Sequence, residues 1–480
     1  MSHQEVSPSN PALSTDTICA ISTAQGMGAI AVIRLSGPNA IRITDNVFRS
    51  SRQGKTLMAQ KANTIHFGTL VDEEKDIDEV LVAIFHAPHS FTGEDVVEVS
   101  CHGATYIQQQ LLQLFIRHGA QLAKPGEFTQ RAFMNGKMDL SQAEAVADLI
   151  ASRSEAARRV ALQQMRGGFS NELAHLRQRL LWFTTLVELE LDFSEEDVEF
   201  ADRKELTALI EELTAHITRL VNSFSLGNAI KNGIPVAIVG HTNAGKSTLL
   251  NAILNEERAI VSDIHGTTRD VIEDTLNIEG ITFRFIDTAG IRKTTDEIES
   301  IGINRTFAKI GQAAIVLLLI DANDTDGKIH DAVTAVKSRM EPYQKLIVVV
   351  NKTDLFDTGS IAQRFSPGIF SELAGTDAIV PISAKTKINL STLTTELINT
   401  VNLKAIDNDE VIVTNARHYE ALQQSLFSLQ RVEQGLRDNI PGDLLSQDIR
   451  EVLQFLGEIT GAFTSNEVLW NIFKNFCIGK

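Results

Sequence analysis

Gly240-His241-Thr242-Asn243-Ala244-Gly245-Lys246-Ser247, preceded by the apolar run Pro235–Val239 and followed by the run to Leu254, decides how the chain folds. Pro235–Val239 reads as a short buried strand, and Ser247–Leu254 as the start of a helix. Between them, a Gly-x4-Gly-Lys-Ser loop can curl so that its backbone N–H groups point at phosphate oxygens. The helix N-terminus adds free N–H groups and the positive end of its dipole. Asn243, Ala244, Gly245, Lys246, Ser247 and Thr248 are therefore the expected phosphate contacts. Lys246 should reach the β- and γ-phosphates as a catalytic charge, and the Ser247 hydroxyl should hold Mg²⁺.

Working outward, four further stretches follow in order: Gly266-Thr267-Thr268, Asp287-Thr288-Ala289-Gly290, Asn351-Lys352-Thr353-Asp354 and Ser383-Ala384-Lys385. Asp287 ends a predicted strand, Thr282–Ile286, and suits Mg²⁺ through water, while Gly290 offers its N–H to the γ-phosphate. Asn351 and Lys352 follow the apolar run Leu346–Val350, at the carboxyl end of a strand where α/β folds bind ligands. The Asp354 carboxylate can accept two hydrogen bonds, from guanine N1–H and the exocyclic amine, a pattern adenine lacks. Ser383, Ala384 and Lys385 follow the β-like run Ala378–Ile382 and can offer backbone N–H groups to the guanine carbonyl. Five such stretches in order imply GTP binding and hydrolysis. The residue after Gly290 is Ile291, where Ras-type enzymes carry a water-orienting glutamine. Asn243 and the stretch Ser262–Thr268 become candidates for an extra alkali-cation site, since their oxygens are hard ligands. Asn243 can equally be a local loop hydrogen bonder.

The 480 residues suffice for about three domains. A hydrophobic content of 43% supports packed cores, and no apolar run approaches the length of a membrane helix. Three cysteines without a Cys-x-x-Cys pair argue against disulfides and structural zinc. The opening MSHQEVSPSNPALSTD has no apolar signal core, so a cytoplasmic location is expected. The formal net charge of −17 disfavours broad, non-specific nucleic-acid binding. It leaves room for a local basic patch, or for RNA held jointly with a more basic partner.

The expected fold is multi-domain α/β plus α. An N-terminal α/β domain covers 1–136, helical periodicity covers 137–232, a Ras-like nucleotide domain covers 233–401, and helix returns over 402–480. Ser141-x-x-Glu144 and Thr464-x-x-Glu467 read as capping boxes. Helical blocks on both sides suggest that the nucleotide domain is inserted into one discontinuous helical domain. Gly26-Met27-Gly28 lacks the third glycine and the helix of a dinucleotide fingerprint and reads as a tight turn. His86-x-x-His89 and Cys101-His102 lack the partners of a metal site. The tail Cys477-Ile478-Gly479-Lys480, after apolar Phe473 and Phe476, reads as a docked tail rather than a lipidation box.

With these motifs and this tail, the chain resembles the MnmE (TrmE) family of tRNA-modification GTPases from about Asp16 to Lys480. The resemblance is carried by Asp16-Thr-Ile, Ser90-Phe-Thr-Gly-Glu-Asp95, Pro125-Gly-Glu-Phe-Thr-Gln-Arg-Ala-Phe133 and the terminal Phe-Cys-Ile-Gly-Lys480. Thr242 stands where the family usually carries proline. The resemblance implies a homodimer joined through N-terminal domains that look like tetrahydrofolate-binding folds. It implies that Arg34, Glu98, Lys137 and Lys480 contact 5-formyl- or 5,10-methylene-tetrahydrofolate, and that Cys477 has a role in modification. It further implies K⁺ at Asn243, Ser262, Ile264 and Thr267, Mg²⁺ at Ser247 and Thr268, and Glu299 as the catalytic water-orienting group. The implied task is addition of a carboxymethylaminomethyl group to C5 of the wobble uridine of certain tRNAs. The implied partners are tRNA and the FAD-containing protein MnmG.

Overall fold

The computed structural model describes residues 16–192, 203–256, 274–286, 310–341, 344–356, 378–400, 411–438, 440 and 442–479. The chain divides into two compact units, residues 1–147 with 164–177 and 456–480, and residues 148–163 with 178–455.

The first unit is built on a seven-stranded sheet ordered β3-β4-β5-β6-β2-β1-β7. Its strands are β1 (Thr17–Ile21), β2 (Ile30–Ser36), β3 (Phe48–Ser50), β4 (Thr64–Asp72), β5 (Lys75–Phe85), β6 (Val96–His102) and β7 (Ala120–Leu122). All neighbours are antiparallel except β1 and β7. Period-two alternation decides which face is buried. Ile33, Leu35, Val80, Val82, Ile84, Val97 and Val99 turn to one face, where Ile43 and Val47 of α1 (Ala40–Val47) and Leu111, Leu114 and Phe115 of α2 (Thr105–Arg117) complete the core. Each such side chain, fully buried, contributes roughly 1.5–3 kcal/mol. The opposite face carries Arg34 beside Glu98, Glu98 beside Ala83, and Ala83 beside Ile65 in register. Near β1 that face is closed by Phe128 of α3 (Glu127–Met134), packed with Ile18, Ala20 and Phe91. Leu140 and Ala143 of α4 (Leu140–Ala151) pack with Leu469 and Phe473, near the chain's end.

Gly26 and Gly28 sit in a turn ahead of β2, with Gly28 N–H donating to Gly103 O at 3.0 Å, as the absence of a following helix suggested. Both capping assignments need correction. The box that opens α4 is Asp139 with Gln142: Asp139 Oδ1 accepts from Gln142 N–H, and Gln142 Oε1 accepts from Asp139 N–H, each at 2.9 Å. Ser141 is already inside the helix, bonded to Asp139 and Ser170. Near the chain's end the cap is Ser465, one residue later than expected, with its hydroxyl accepting from Val468 N–H.

The second unit holds a six-stranded sheet ordered β13-β12-β11-β8-β10-β9. Its strands are β8 (Ile234–Gly240), β9 (Asp274–Ile278), β10 (Ile281–Phe285), β11 (Ile315–Asp321), β12 (Lys345–Asn351) and β13 (Ala378–Pro381). Only the β9–β10 hairpin is antiparallel. The central strands are apolar on both sides because both faces are covered. Leu317, Leu319, Ile347 and Val349 meet Leu249 and Ile253 of α8 (Lys246–Glu256) and Leu393 and Leu397 of α10 (Leu390–Asn399). Val316, Leu318, Val348 and Val350 meet Ile329 and Val333 of α9 (Asp326–Lys337). The register aligns Leu319 with Gly240 and Asp321 with Asn351, so the strands end together at one edge of the sheet.

Helices α5 (Glu155–Met165), α6 (Gly168–Asp192) and α7 (Arg203–Asn232) precede this sheet in sequence; α11 (Ala416–Arg437), α12 (Gly442–Thr460) and α13 (Asn466–Phe473) follow it. Within the unit, α7 and α11 lie against each other although the whole sheet separates them in sequence. Phe224 stacks on Tyr419 at 4.3 Å, and Val413 N–H donates to Ser223 Oγ at 3.0 Å. The β9–β10 turn is fastened to the start of α5, where Ala156 N–H donates to Gly280 O at 3.2 Å. Among the described residues, no helix is long and apolar enough to cross a membrane.

Candidate functional site

The carboxyl ends of β8 and β12 and the segment after β13 bring three of the sequence motifs together. Asn351, only 3% exposed, is the connecting residue. Its Nδ2 donates to Ala244 O in the loop after β8 at 2.8 Å, and its Oδ1 accepts from Ala384 N–H at 2.9 Å. One amide at the end of β12 thus ties the loop after β8 to the segment after β13. Gly245 has φ +99°, and a Cβ there would run into Asn351 Nδ2, so the loop needs glycine on both counts. Asn243 takes the left-handed conformation at φ 61° and is exposed. Lys246 opens α8 and donates through Nζ to Gly240 O and His241 O at 2.7 Å each, which holds its ammonium over the loop. Ser247 is half-buried and Thr248 exposed on the first turn of α8.

After β12, Asp354 is exposed in a short 3-10 turn, and its Oδ1 accepts from Ser383 Oγ at 2.6 Å. Ser383 is fully buried and also accepts from Thr386 N–H, so the carboxylate is aimed by a fixed hydroxyl. Lys352 is left-handed at φ 66° and pairs with Asp321 Oδ2 at 2.5 Å. Burial pushes the Asp321 carboxyl up, but the hydrogen bond from Lys352 and two from Asn323 outweigh it and hold it below the usual range. Lys385 is exposed. Ser262, Ile264, Thr267, Thr268, Asp287, Thr288, Ala289, Gly290, Ile291, Glu299 and Lys480 lie outside the described residues.

A second cluster forms in the other unit, on the open face of the seven-stranded sheet. Arg34 pairs with Glu98, Nε and Nη2 both reaching Oε1 at 2.9 and 2.8 Å. The guanidinium lies 5.5 Å from the centre of the Phe91 ring and 5.7 Å from that of Phe128. The chain's tail docks here, as its apolar approach suggested. Gly479 O accepts from Arg34 Nη1 at 3.4 Å and from Ser22 Oγ at 3.1 Å, and Cys477 O accepts from Gly126 N–H. Gly479 has φ +91°, and a Cβ would strike the backbone of Ile21 and Ser22. Lys137 is exposed and makes a different contact, donating to Pro88 O at 2.9 Å. The Cys477 thiol is exposed, whereas burial pushes Cys19 up to about 12 and Cys101 up to about 11.

A family model described as the GTP-binding protein TrmE N-terminus matches residues 17–137, and one described as the MnmE helical domain matches residues 140–477. The tRNA modification GTPase MnmE of Bacteroides fragilis strain ATCC 25285 is 57% identical over 471 residues, spanning 98% of this chain and 100% of its own. The protein of that name from Bacteroides thetaiotaomicron is 56% identical over 478 residues, with the same coverage of both chains. The one from Flavobacterium johnsoniae is 53% identical over 471 residues, again spanning 98% and 100%. The chain belongs to the MnmE family of tRNA modification GTPases. Among solved structures, a variant of Aquifex aeolicus Era bound to GDP·AlF4⁻ overlaps 40% of this chain and 66% of its own, at 27% identity and a TM-score of 0.26. That overlap is too loose to fix a fold.

As an MnmE-family chain, the protein is a GTP hydrolase. Two sets of residues around the MnmE sites escape a reading of the sequence. Asp321, the anchor of Lys352, ends the run Ile315–Ile320, where a lone carboxylate closing an apolar strand is the only signal. Phe91 and Phe128 stand inside two of the family motifs, and nothing in their spacing predicts that both reach Arg34.

Proposed function

We propose that this MnmE-family chain uses GTP hydrolysis to drive addition of a carboxymethylaminomethyl group to C5 of the wobble uridine of certain tRNAs. In this reading it works in the cytoplasm as a homodimer, with FAD-containing MnmG and a tetrahydrofolate one-carbon donor. The observation that carries the reading is one chain holding both a guanine-type nucleotide cradle and the Arg34–Glu98 recess to which the tail is fastened. The domain division at 1–136, 137–232, 233–401 and 402–480 stands as part of the proposal. The contact of α7 with α11 supports treating the helices as one discontinuous body.

The nucleotide cradle fits its implied ions in the residues that are described. Gly245 lets the loop pass close against Asn351 at a left-handed φ, and the Ser247 hydroxyl stands on the first turn of α8 as a hard oxygen donor. Ser247 and Thr268 would hold Mg²⁺; Asn243, with Ser262, Ile264 and Thr267, would hold K⁺. These ions supply positive charge beside the transferring phosphoryl group. Lys246 neutralises the β- and γ-phosphates, with backbone N–H groups of Ala244, Gly245, Ser247 and Thr248 around them. Asp287, Thr288, Ala289 and Gly290 follow the γ-phosphate. Asp354 reads the guanine edge, Asn351 and Lys352 set its frame, and Ser383, Ala384 and Lys385 close over the base. Glu299 orients the attacking water in place of the glutamine replaced by Ile291.

The recess also fits its ligand class. Glu98 is 31% exposed and can accept two N–H groups from a pterin edge, beside the aromatic faces of Phe91 and Phe128. Arg34, Lys137 and Lys480 suit a glutamate-tailed molecule, and Cys477 takes part in the modification. The exposed Ile65, Phe67 and Leu81 on the same sheet face support the homodimer. GTP turnover in matched KCl and NaCl tests the cation assignment. Turnover is expected to be faster in K⁺, and equal rates would remove the site at Asn243.

A further inference from the structure

We propose that Arg131 is a positioning residue for the one-carbon recess, drawing Asp16, Glu94 and Glu127 onto one guanidinium and so fixing Phe91 and Phe128 against Arg34. The proposal rests on the reading of that recess as the tetrahydrofolate site. Three motifs that define the family meet here, and the nucleotide chemistry uses none of them. Asp16 precedes β1, Glu94 lies in the loop before β6, and Glu127 and Arg131 stand one turn apart on α3. The Arg131 side chain is 7% exposed. Its Nη2 donates to Asp16 Oδ1 and Glu127 Oε1 at 3.0 Å each, and its Nη1 to Asp16 O at 3.1 Å and to both Glu94 oxygens at 3.2 and 3.3 Å.

The carboxylates are themselves held. Glu94 Oε2 accepts from Ser36 Oγ at 2.7 Å, Ser36 shares a hydrogen bond with Thr92, and Asn135 of the α3 C-cap donates to Thr92 O at 2.7 Å. Glu127 Oε2 accepts from Lys124 N–H at 2.8 Å. Each aromatic ring is tied to this cluster by a few covalent bonds. Phe91 lies three residues before Glu94, and Phe128 follows Glu127 directly. Both rings reach Arg34, at 5.5 and 5.7 Å. With three carboxylates around one guanidinium the cluster is net negative, which unsuits it for binding an anion. Its effect is therefore geometric. The planar fork spreads its N–H donors over two terminal nitrogens in a fixed geometry that matches acceptors on three separate segments; a lysine ammonium offers three N–H groups from a single nitrogen and cannot span the same positions.

The test uses the full-length chain, with 5-formyltetrahydrofolate as the probe. Arg131→Lys keeps the charge and removes the fork. It should bind the probe at least about tenfold more weakly, because two rings then have to be ordered on binding. Its GTP turnover, a readout of the other unit, should be unchanged. Without ligand, the ¹⁹F resonances of fluorophenylalanine at 91 and 128, assigned by replacing each with leucine, should broaden or move relative to the unsubstituted chain. Glu94→Gln should do the same more mildly, and it carries the test if the Arg131→Lys protein does not fold. Wild-type affinity with unmoved resonances in the folded variants overturns the proposal. Arg34→Met separates the two readings: if it binds the probe as tightly as wild type, the recess is not the folate site, and the resonances still judge the brace.

Discussion

Asp354 is exposed and yet aimed, because buried Ser383 donates to one of its oxygens at 2.6 Å. In the proposed nucleotide site, Asp354→Asn would replace a carboxylate oxygen by an NH2 facing the N–H groups of guanine. Leaving such groups unmet costs about 1–3 kcal/mol, so GDP affinity should fall about tenfold or more. Xanthosine diphosphate, which carries a carbonyl where guanine has its amine, should recover part of the loss. Titration with labelled GDP and XDP checks this, and unchanged GDP affinity would take Asp354 away from the base. The neighbouring Asp321–Lys352 pair follows a definite sign. A carboxyl held below its ordinary range stabilises the fold above its unfolded value, and that contribution is lost only as pH falls through the lower folded one. The frame behind Lys352 therefore stays intact at neutral pH.

At the scale of elements, the cradle depends on how closely the loop after β8 approaches the end of β12. Gly245→Ala would add a Cβ against Asn351 Nδ2 at a left-handed φ. Asn351 could yield only by giving up its bonds to Ala244 and Ala384, each worth about 0.5–1.5 kcal/mol. The variant should lower the melting temperature and weaken GDP binding about tenfold or more, with calorimetry and titration as the measurements. Wild-type values for both would show the approach to be looser than described. The strands β8 and β12 of this cradle were legible because they are buried on both faces and so are written as unbroken apolar runs. The caps were not. Asp139–Gln142 and Ser465 compete with nearby Ser141 and Thr464 of similar chemistry, and only the path of the backbone selects between them. The Arg131 cluster was hidden for another reason. Its partners lie up to 115 residues apart, and no local pattern records a bond across that distance.

At the scale of the whole molecule, a formal net charge of −17 means that tRNA cannot be held by a general positive field. Recognition has to be local or shared with a partner. The proposed homodimer has a candidate surface, since Ile65, Phe67 and Leu81 are 67%, 50% and 48% exposed on one face of β4 and β5. Replacing Phe67 and Leu81 by aspartate and lysine should give a monomer in sedimentation if the proposed homodimer forms on this face; an unchanged dimer mass would move the interface elsewhere. The central claim, that this GTPase drives wobble-uridine modification, is tested most directly by nucleoside mass spectrometry of bulk tRNA from cells lacking the chain. 5-Carboxymethylaminomethyluridine should disappear, return with the natural chain, and stay absent with Lys246→Ala. An unchanged level in the deleted cells would contradict the account.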